Sequence, residues 1–219
     1  MPAERLIVFV KRPRAGEVKT RLASEVGPEE AAVLYRSMAE HVLQATAPSG
    51  GGYDRVVEYA PADAGDEVRR WLPAERCVPQ VAGELGERMA HALARAFSEG
   101  VFRAVLVGTD VPALAREHVA QAFAALREAD LVLGPAWDGG YYLVGLGAPR
   151  PALFEGIAWS TPTVREQTIG RARELGLRHR LLAELRDVDT LADVRAEWER
   201  LAPLLRGREA LARKLRPAP

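Results

Sequence analysis

Residues 103–112 read Arg-Ala-Val-Leu-Val-Gly-Thr-Asp-Val-Pro, an apolar run that ends in a glycine, a threonine and an aspartate. Such a run with a breaker after it is typical of a buried strand in a parallel sheet. Pro112 holds the preceding residue extended, so the chain leaves the strand without coiling at once into a helix. Because open α/β sheets bind ligands at the carboxyl ends of their strands, we expect Asp110 to lie at a ligand site. A carboxylate there suits a hard divalent cation that carries phosphate oxygens; the competing interpretation is a cap for the next helix.

The composition bounds the class of protein. The chain has 219 residues, 48% of them hydrophobic, with 30 basic and 30 acidic side chains and the single cysteine Cys77. This length predicts one domain, residues 1–219. The apolar runs are shorter than the ~20 residues that a bilayer requires, and the start lacks the features of a signal peptide. One cysteine excludes an internal disulfide framework, and zero net charge gives no indication of nucleic acid. We expect a cytoplasmic protein with no nucleic-acid partner and no membrane span.

A basic segment follows the first apolar run, Leu6–Val10. Between Lys11 and Arg21 there are five cations and one anion, and Pro13 and Gly16 interrupt regular structure. At the end of a strand such a segment is suited to a polyphosphate, since Lys supplies a point charge and Arg a bidentate donor. The Gly-x-x-x-x-Gly-Lys pattern of Walker loops is absent. A solvated basic loop is the alternative interpretation.

Strand and helix patterns alternate along the rest of the chain, which predicts an α/β fold with a largely parallel sheet. Periodic apolar residues predict helices that begin near Pro28, Glu67, Gly83, Arg116 and Thr163, and a terminal helix that ends near Leu205. Apolar runs predict further strands at 55–60, 77–81, 131–135 and 178–182. Residues 206–219 are basic and are predicted to form a solvated tail.

Two glycines, Gly83 and Gly86, stand at the start of a predicted helix. They could let a base or a sugar approach the backbone closely, or they could simply be turn residues.

The segment Asp138-Gly139-Gly140 predicts a tight turn with a carboxylate at its tip. Bare glycine backbone with aromatic neighbours, Trp137 and Tyr141, favours a substrate pocket there. A β-hairpin turn without a ligand is the alternative, because Asp-Gly is itself a hairpin signal. Residues 157–162, Ile-Ala-Trp-Ser-Thr-Pro, form a second aromatic and hydroxyl-bearing loop, although Ser160 or Thr161 could instead cap a helix.

Two more carboxylates, Asp187 and Asp189, are separated by one residue. In an extended segment such side chains point the same way, so both could address one cation. Asp189 with Thr190 could instead cap the terminal helix.

Several of these segments together resemble a bacterial family of GT-A-like glycosyltransferases formerly of unknown function, some of which are linked to arsenosugar biosynthesis. The segments that carry the resemblance are residues 8–22, 83–89, 108–112, 134–145, 158–162 and 187–190, and the resemblance covers nearly the whole chain. Trp-Asp-Gly-Gly-Tyr-Tyr and Trp-Ser-Thr-Pro are its most specific parts. The first basic loop is also similar to the starts of 2-phospholactate guanylyltransferases and molybdenum-cofactor nucleotidyltransferases. This resemblance implies the nucleotide-diphospho-sugar transferase fold, a three-layer arrangement around a mostly parallel sheet.

The resemblance also implies roles for particular residues. Lys11, Lys19 and Arg21 match basic positions that would contact the nucleotide phosphates. With Arg12, Gly83 and Gly86 they make up the predicted nucleotide-binding set. Asp110 matches the metal-binding aspartate, but this chain has Thr-Asp-Val-Pro where the family has Asp-x-Asp, so Asp189 is the candidate second ligand. The acceptor-binding set comprises Asp138, Gly139, Gly140, Tyr141, Trp159 and Ser160. Asp110, Asp138 and Lys19 are the expected catalytic residues.

Mechanism follows from charge. Mg²⁺ or Mn²⁺ held by Asp110 and Asp189, with Lys19 and Arg21, would stabilise negative charge on a phosphate leaving group, and Asp138 would act as general base or orient the acceptor. Three functions compete: glycosyl transfer from a nucleotide-sugar to a small-molecule acceptor, which the resemblance favours; nucleotidyl transfer from an NTP to a phosphorylated acceptor with release of pyrophosphate; and non-catalytic nucleotide binding. The sequence leaves the oligomeric state open, with a dimer among the states considered.

Overall fold

A seven-stranded, mostly parallel sheet forms the centre of the protein in a computed structural model that describes residues 3–48 and 52–217. The strands are β1 (Glu4–Lys11), β2 (Asp54–Ala60), β3 (Cys77–Pro79), β4 (Arg103–Val107), β5 (Leu131–Pro135), β6 (Tyr141–Leu146) and β7 (His179–Leu181). Their order is β3-β2-β1-β4-β6-β5-β7, and β6 runs antiparallel to both of its neighbours. The predicted α/β class with a mostly parallel sheet is confirmed.

Helices connect the strands and close both faces of the sheet. They are α1 (Thr20–Val26), α2 (Pro28–Ala45), α3 (Gly65–Trp71), α4 (Leu85–Ser98), α5 (Arg116–Ala125), α6 (Val164–Glu174), α7 (Leu191–Ala196), α8 (Trp198–Leu201) and α9 (Glu209–Leu215), with 3₁₀ turns at Ala62–Ala64, Pro151–Phe154 and Ala202–Leu205. Helix α2 begins at Pro28, as the sequence indicates, because proline suits the first helical position. Glu29 and Glu30, which follow it, are favourable at the positive end of the helix dipole.

The alternation of side chains along β1 produces the three layers. Leu6, Val8 and Val10 pack on the face that α2 and α5 cover. Ile7 points to the opposite face, where Met89 and Leu93 of α4 meet it. Buried apolar side chains on both faces mean that the carboxyl edge, and not a face, is where the sheet is open to ligands.

The last helix corrects the prediction of a solvated tail. Leu211 and Leu215, one turn apart on α9, are buried against Leu34 and Met38 of α2 and the residues around α7 and α8. The basic residues between them face solvent, which is why this segment looks like a tail in the sequence. The terminal helix expected up to Leu205 is also broken into α7, α8 and a 3₁₀ turn that contains Pro203. Residues 218 and 219 lie outside the described part.

Within the described ranges, no helix has both the length and the apolar character needed to cross a bilayer.

Candidate functional site

A cleft of about 610 Å³ opens at the edge of the sheet where β1 and β4 end and β6 begins. Side chains from widely separated segments line it, among them Lys11, Lys19, Arg21, Arg88, Asp110, Asp138, Tyr141, Trp159, Ser160, Asp187 and Asp189. Asp110 therefore lies in a cleft at the carboxyl edge of the sheet, where we expected it from the end of its strand.

The floor of the cleft is a cluster of one ammonium and two carboxylates. Lys19 Nζ lies 2.6 Å from Asp110 Oδ1 and 2.8 Å from Asp189 Oδ1. The Lys19 side chain is only 3% exposed, whereas Asp110 and Asp189 are 50% and 39% exposed. Burial acts to lower the pKa of the Lys19 ammonium, but the two carboxylates outweigh it and raise that pKa above its usual range. The two carboxylates therefore favour the charged form of Lys19.

The backbone at Lys19 is strained. Its φ of 48° and ψ of 48° place it in the left-handed region, directly before α1. Among the described residues, the other non-glycine residue with positive φ is Ser160, at 63°, and it lines the same cleft. Left-handed backbone costs an L-residue roughly 1–2 kcal/mol, and such strain gathers at functional sites.

A backbone hydrogen bond holds the segment that carries Asp189 next to Asp110, although the two residues are far apart in the sequence. Val188 N donates to Asp110 O at 2.9 Å, which fixes the segment 187–189 beside the end of β4. Asp189 does not cap α7: Thr190 accepts from Asp193 N, and the Asp193 carboxylate accepts from Thr190 N at 3.0 Å. Asp110 does not cap α5 either, since the N-cap there is Ala115. Both carboxylates are left for the cleft.

A divalent cation fits this donor set in chemistry. In the part of the chain that the structure describes, no three His, Cys, Asp or Glu side chains converge as a complete metal site. Two half-exposed carboxylates supply part of a coordination shell that phosphate oxygens and water would complete, as Mg²⁺ prefers. Metal binding stays a prediction for Asp110 and Asp189.

The cations of the first loop divide into two groups. Lys11 and Arg21 line the cleft with Lys19, and Arg21 Nη1 lies 3.7 Å from Asp189 Oδ2. Arg12 turns away: its guanidinium pairs with Glu17 at 2.8 Å and Glu67 at 3.2 Å, and it is not part of the cleft wall. We therefore drop Arg12 from the nucleotide-binding set.

The two glycines at the start of α4, Gly83 before the helix and Gly86 in its first turn, have structural roles. Gly83, with φ of +123°, precedes a capping box in which Glu84 N donates to Glu87 Oε2. A β-carbon at Gly86 would lie 2.5 Å from the Trp159 indole, so only glycine lets that ring pack on α4. Neither glycine lines the cleft, which corrects the prediction that both contact nucleotide.

The 138–140 turn is both a hairpin turn and a wall of the cleft. It joins antiparallel β5 and β6, and Asp138 Oδ1 accepts from Gly140 N at 2.8 Å. Asp138 and Gly140 line the cleft, but a β-carbon at Gly139 would lie 2.0 Å from Pro162 O. Gly139 thus holds the 157–162 loop and is removed from the acceptor set. That loop presents Trp159 and Ser160, next to Tyr141, to the cleft.

Three residues of the cleft wall were missed or only partly weighed from the sequence. Asp187 lines the cleft, and burial, with the charge of Asp138 second, raises its pKa to about 6. The sequence indicated it only as a partner of Asp189. Gln80 and Arg88 also line the cleft. Arg88 falls within the 83–89 segment of the resemblance, but no role was assigned to it there. Gln80 was not singled out, because a glutamine after a strand is an ordinary surface residue.

The comparisons with known proteins agree with this architecture. The model of a family described as an uncharacterized protein conserved in bacteria, DUF2064, matches residues 43–161. The chain belongs to this family.

One relative is the phosphoenolpyruvate guanylyltransferase of Chloroflexus aggregans (strain MD-66 / DSM 9485). It is 30% identical over 173 residues, which is 75% of this chain and 81% of that protein. A crystal structure from Desulfovibrio desulfuricans G20, named provisionally as a nucleotide-diphospho-sugar transferase, matches all of both chains at 35% identity with a TM-score of 0.90. The inositol-1-phosphate CTP transferase of T. maritima, at 16% identity, 94% and 97% coverage and a TM-score of 0.51, shows the fold alone.

The chain is therefore like nucleotidyl and sugar-nucleotide transferases in fold and family, and the implied nucleotide-diphospho-sugar transferase fold is confirmed. The preference for glycosyl over nucleotidyl transfer is not supported. None of these relatives is named for arsenosugar biosynthesis, so that specificity stays a prediction.

Proposed function

We propose that this protein is a divalent-cation-dependent nucleotidyltransferase, which moves a nucleoside monophosphate from an NTP to a small-molecule acceptor and releases pyrophosphate. The observation that carries the proposal is the buried Lys19 ammonium between Asp110 and Asp189, beside a basic loop at the carboxyl edge of the sheet. The choice of nucleotidyl transfer rests on the guanylyltransferase relative, which is similar over three quarters of the chain.

The reaction needs positive charge at the phosphates. An acceptor oxygen attacks the α-phosphorus, the bond between that phosphorus and the bridging oxygen breaks, and pyrophosphate leaves with the electron pair. Lys11, Lys19 and Arg21 line the cleft and would neutralise the charge that develops on these oxygens. When the attacking group is a hydroxyl, Asp138 takes its proton.

The residues that would hold Mg²⁺ or Mn²⁺ are Asp110 and Asp189. When bound, the ion supplies a Lewis acid that neutralises phosphate oxygens.

Glycosyl transfer is a second candidate. The supporting observation is the likeness over the whole of both chains to the protein from Desulfovibrio desulfuricans G20, whose provisional name is a nucleotide-diphospho-sugar transferase. The same cluster of Lys19, Asp110 and Asp189 would then act on the diphosphate of a nucleotide-sugar.

The released product distinguishes the candidates. Purified protein with Mg²⁺ or Mn²⁺ is incubated with each NTP and a panel of acceptors that includes phosphoenolpyruvate, the acceptor in the relative's name, and separately with nucleotide-sugars. We expect pyrophosphate from an NTP, and its loss in Asp110→Asn. Free nucleoside diphosphate from a nucleotide-sugar would instead establish the glycosyl reaction. Nucleotide binding without turnover of any donor would support the hypothesis that the protein binds nucleotide without catalysis.

A further inference from the structure

Tyr35, on α2, is a buried tyrosine whose hydroxyl lies between the ends of β1 and β4. It is 4% exposed and still lines the cleft. Its Oη accepts from Lys11 N at 2.7 Å and from Thr109 Oγ1 at 3.3 Å. Lys11 is the last residue of β1, and Thr109 follows β4 directly before Asp110. One hydroxyl therefore joins the two strand ends from which the basic loop and the Asp110 carboxylate arise.

The two strands separate at this point, which leaves the Lys11 N–H beyond the reach of β4. Successive N–H groups along a strand point to opposite neighbours. Arg12 N donates to Ala60 O on the β2 side, so Lys11 N points to the β4 side. The pairing of β1 with β4 ends at Val8 and Val107, before Lys11 is reached. The N–H needs another acceptor, and the tyrosine oxygen takes the place that a longer β4 would fill.

The ring of Tyr35 supports the other end of the basic loop. Val18, the residue before Lys19, is 2% exposed and packs in one apolar cluster with Tyr35, Ala32 and Ala39 of α2. Lys19 has left-handed backbone, and a conformation of this kind persists only where its surroundings hold it. The burial of Val18 against α2 is one contact that does so.

The Tyr35 phenol keeps its proton at physiological pH. Burial, with the charge of Asp110 second, raises the pKa of Tyr35 to about 12. A neutral hydroxyl can accept from the backbone of Lys11 without adding negative charge beside the Lys19 ammonium. The group is therefore suited to holding the two strand ends together, and not to exchanging a proton with a substrate.

We propose that Tyr35 is a positioning residue, which sets the spacing between the basic loop and Asp110. It acts through Lys11 N and Thr109 at the strand ends, and through Val18 inside the loop. The cations of the loop and an ion on Asp110 then meet the same triphosphate. This inference rests on the proposed function, because it concerns the same phosphate-binding residues. Spacing matters there, since a displacement of about 1 Å at a reacting centre can cost on the order of 10²-fold in rate.

Tyr35→Phe tests the assignment, because it removes the hydroxyl and keeps the ring against Val18. Tyr53→Phe is the matched control: Tyr53 is also buried, its Oη donates to Thr46 O at 2.7 Å, and it lies outside the cleft wall. Denaturation scans without ligand should show a loss of a few degrees in both variants, since each loses buried hydrogen bonds. Calorimetric titration with inorganic tripolyphosphate and Mn²⁺ should show binding weakened about tenfold or more in Tyr35→Phe and by less than roughly twofold in Tyr53→Phe.

A double-mutant cycle with Thr109→Val separates positioning from direct contact with the ligand. Thr109→Val removes the hydroxyl that reaches Tyr35 and nearly keeps the shape. If Tyr35 acts through the strand ends, the double variant should bind tripolyphosphate no more weakly than Tyr35→Phe alone. Additive losses would mean that the Tyr35 hydroxyl acts on the phosphates themselves, and the positioning role would be wrong.

Two further outcomes would overturn the role of Tyr35: unchanged tripolyphosphate affinity in Tyr35→Phe, or an equal loss of that affinity in Tyr53→Phe. If Tyr35→Phe does not fold, Thr109→Val alone should still weaken tripolyphosphate, and unchanged binding there would defeat the inference. Selective weakening by Tyr35→Phe in a protein that releases no pyrophosphate from any NTP would sustain the positioning role and defeat the proposed function. Pyrophosphate release with tripolyphosphate affinity unaffected by Tyr35→Phe would do the reverse.

Discussion

Asp110 is half-exposed, and its side chain contacts the Lys19 ammonium. Asp110→Asn keeps the size and an oxygen acceptor for Lys19 but removes the charge that would hold a cation. We expect Mn²⁺-dependent nucleotide binding to weaken at least about tenfold, since a charged ligand is lost, while the protein still folds because Asp189 keeps Lys19 paired. Calorimetry with and without Mn²⁺ measures this, and unaltered binding in the variant would place the cation elsewhere.

Arg21 and Arg12 offer a matched pair within one loop. Arg21 lines the cleft, whereas Arg12 is held by Glu17 and Glu67 outside it. Arg21→Met should weaken nucleoside triphosphate binding about tenfold, the size of one charge-assisted hydrogen bond, and leave the bare nucleoside unaffected. Arg12→Met should leave both affinities as they are. Equal weakening of triphosphate and nucleoside by Arg21→Met would indicate a structural role.

Asp138 can be altered with little change in shape. An asparagine keeps an oxygen that accepts from Gly140 N, so the turn persists while the base is lost. For a hydroxyl acceptor, Asp138→Asn should lower turnover by ~10²–10⁴-fold with donor affinity little changed. Steady-state rates beside donor binding separate the two effects. A loss of donor affinity as large as the loss of rate would place Asp138 at the cation and remove the acceptor assignment.

Some residues of the cleft could be predicted from local sequence patterns, and others could not. Asp110 follows from the strand-end rule and Lys19 from the basic loop, both local patterns. The pairing of Lys19 with Asp189 joins residues 170 positions apart, and no local pattern carries such a contact. Arg88 lies in the 83–89 segment of the resemblance but received no role, because its partner is the neutral Gln80, which only the fold brings near.

Helix α9 offers a direct test of the packing, because the sequence predicts a solvated tail there and the structure has a helix that packs on the core. Leu215 is fully buried against the cluster that includes α2. Leu215→Ala should cost ~2–5 kcal/mol, through lost burial and a cavity, and lower the thermal midpoint by roughly 5–15 °C. Exposed Arg213→Ala on the same helix should change the midpoint by no more than a degree or two. An unaffected Leu215→Ala would restore the tail interpretation.

The strands could be predicted far better than this last helix. β4 and β5 have the bounds that their apolar runs indicate, because a buried strand needs little more than a continuous apolar run. In α9 only two leucines carry the helical period, and Arg213 and Lys214 between them make the segment look basic. The antiparallel direction of β6 was not predicted as such, although the hairpin reading of the 138–140 turn contained it.

We expect the stability of the whole molecule to depend on pH through Glu58, a buried carboxyl group on β2. Burial raises the pKa of Glu58 to about 7, although Arg95 pairs with it and acts in the opposite direction. Because this pKa is higher in the folded than in the unfolded protein, its stabilising contribution is full below the unfolded value and is lost as pH rises through about 7.

Glu58→Gln removes this titration and keeps an oxygen for Arg95. From about pH 5 to about pH 8, we expect the thermal midpoint of the unaltered protein to fall by several degrees more than that of the variant. Denaturation scans at matched ionic strength provide the comparison. Parallel pH profiles for the two proteins would mean that Arg95 keeps Glu58 charged throughout.

Fold class was within reach of the sequence because alternating strands and helices have few compact solutions. The reaction was not, because Lys19, Asp110 and the basic loop serve nucleotidyl and glycosyl transfer equally well.

The cluster of Lys19, Asp110 and Asp189 should also couple the binding of the cation to the binding of the nucleotide. Asp110 and Asp189 already share a tethered positive charge, so a free divalent ion gains less from them than from two bare carboxylates. A nucleotide brings phosphates to which the ammonium can turn, and this releases carboxylate oxygens for the incoming ion. Cation and nucleotide should therefore enter as a coupled pair, each raising the affinity of the other by the same factor.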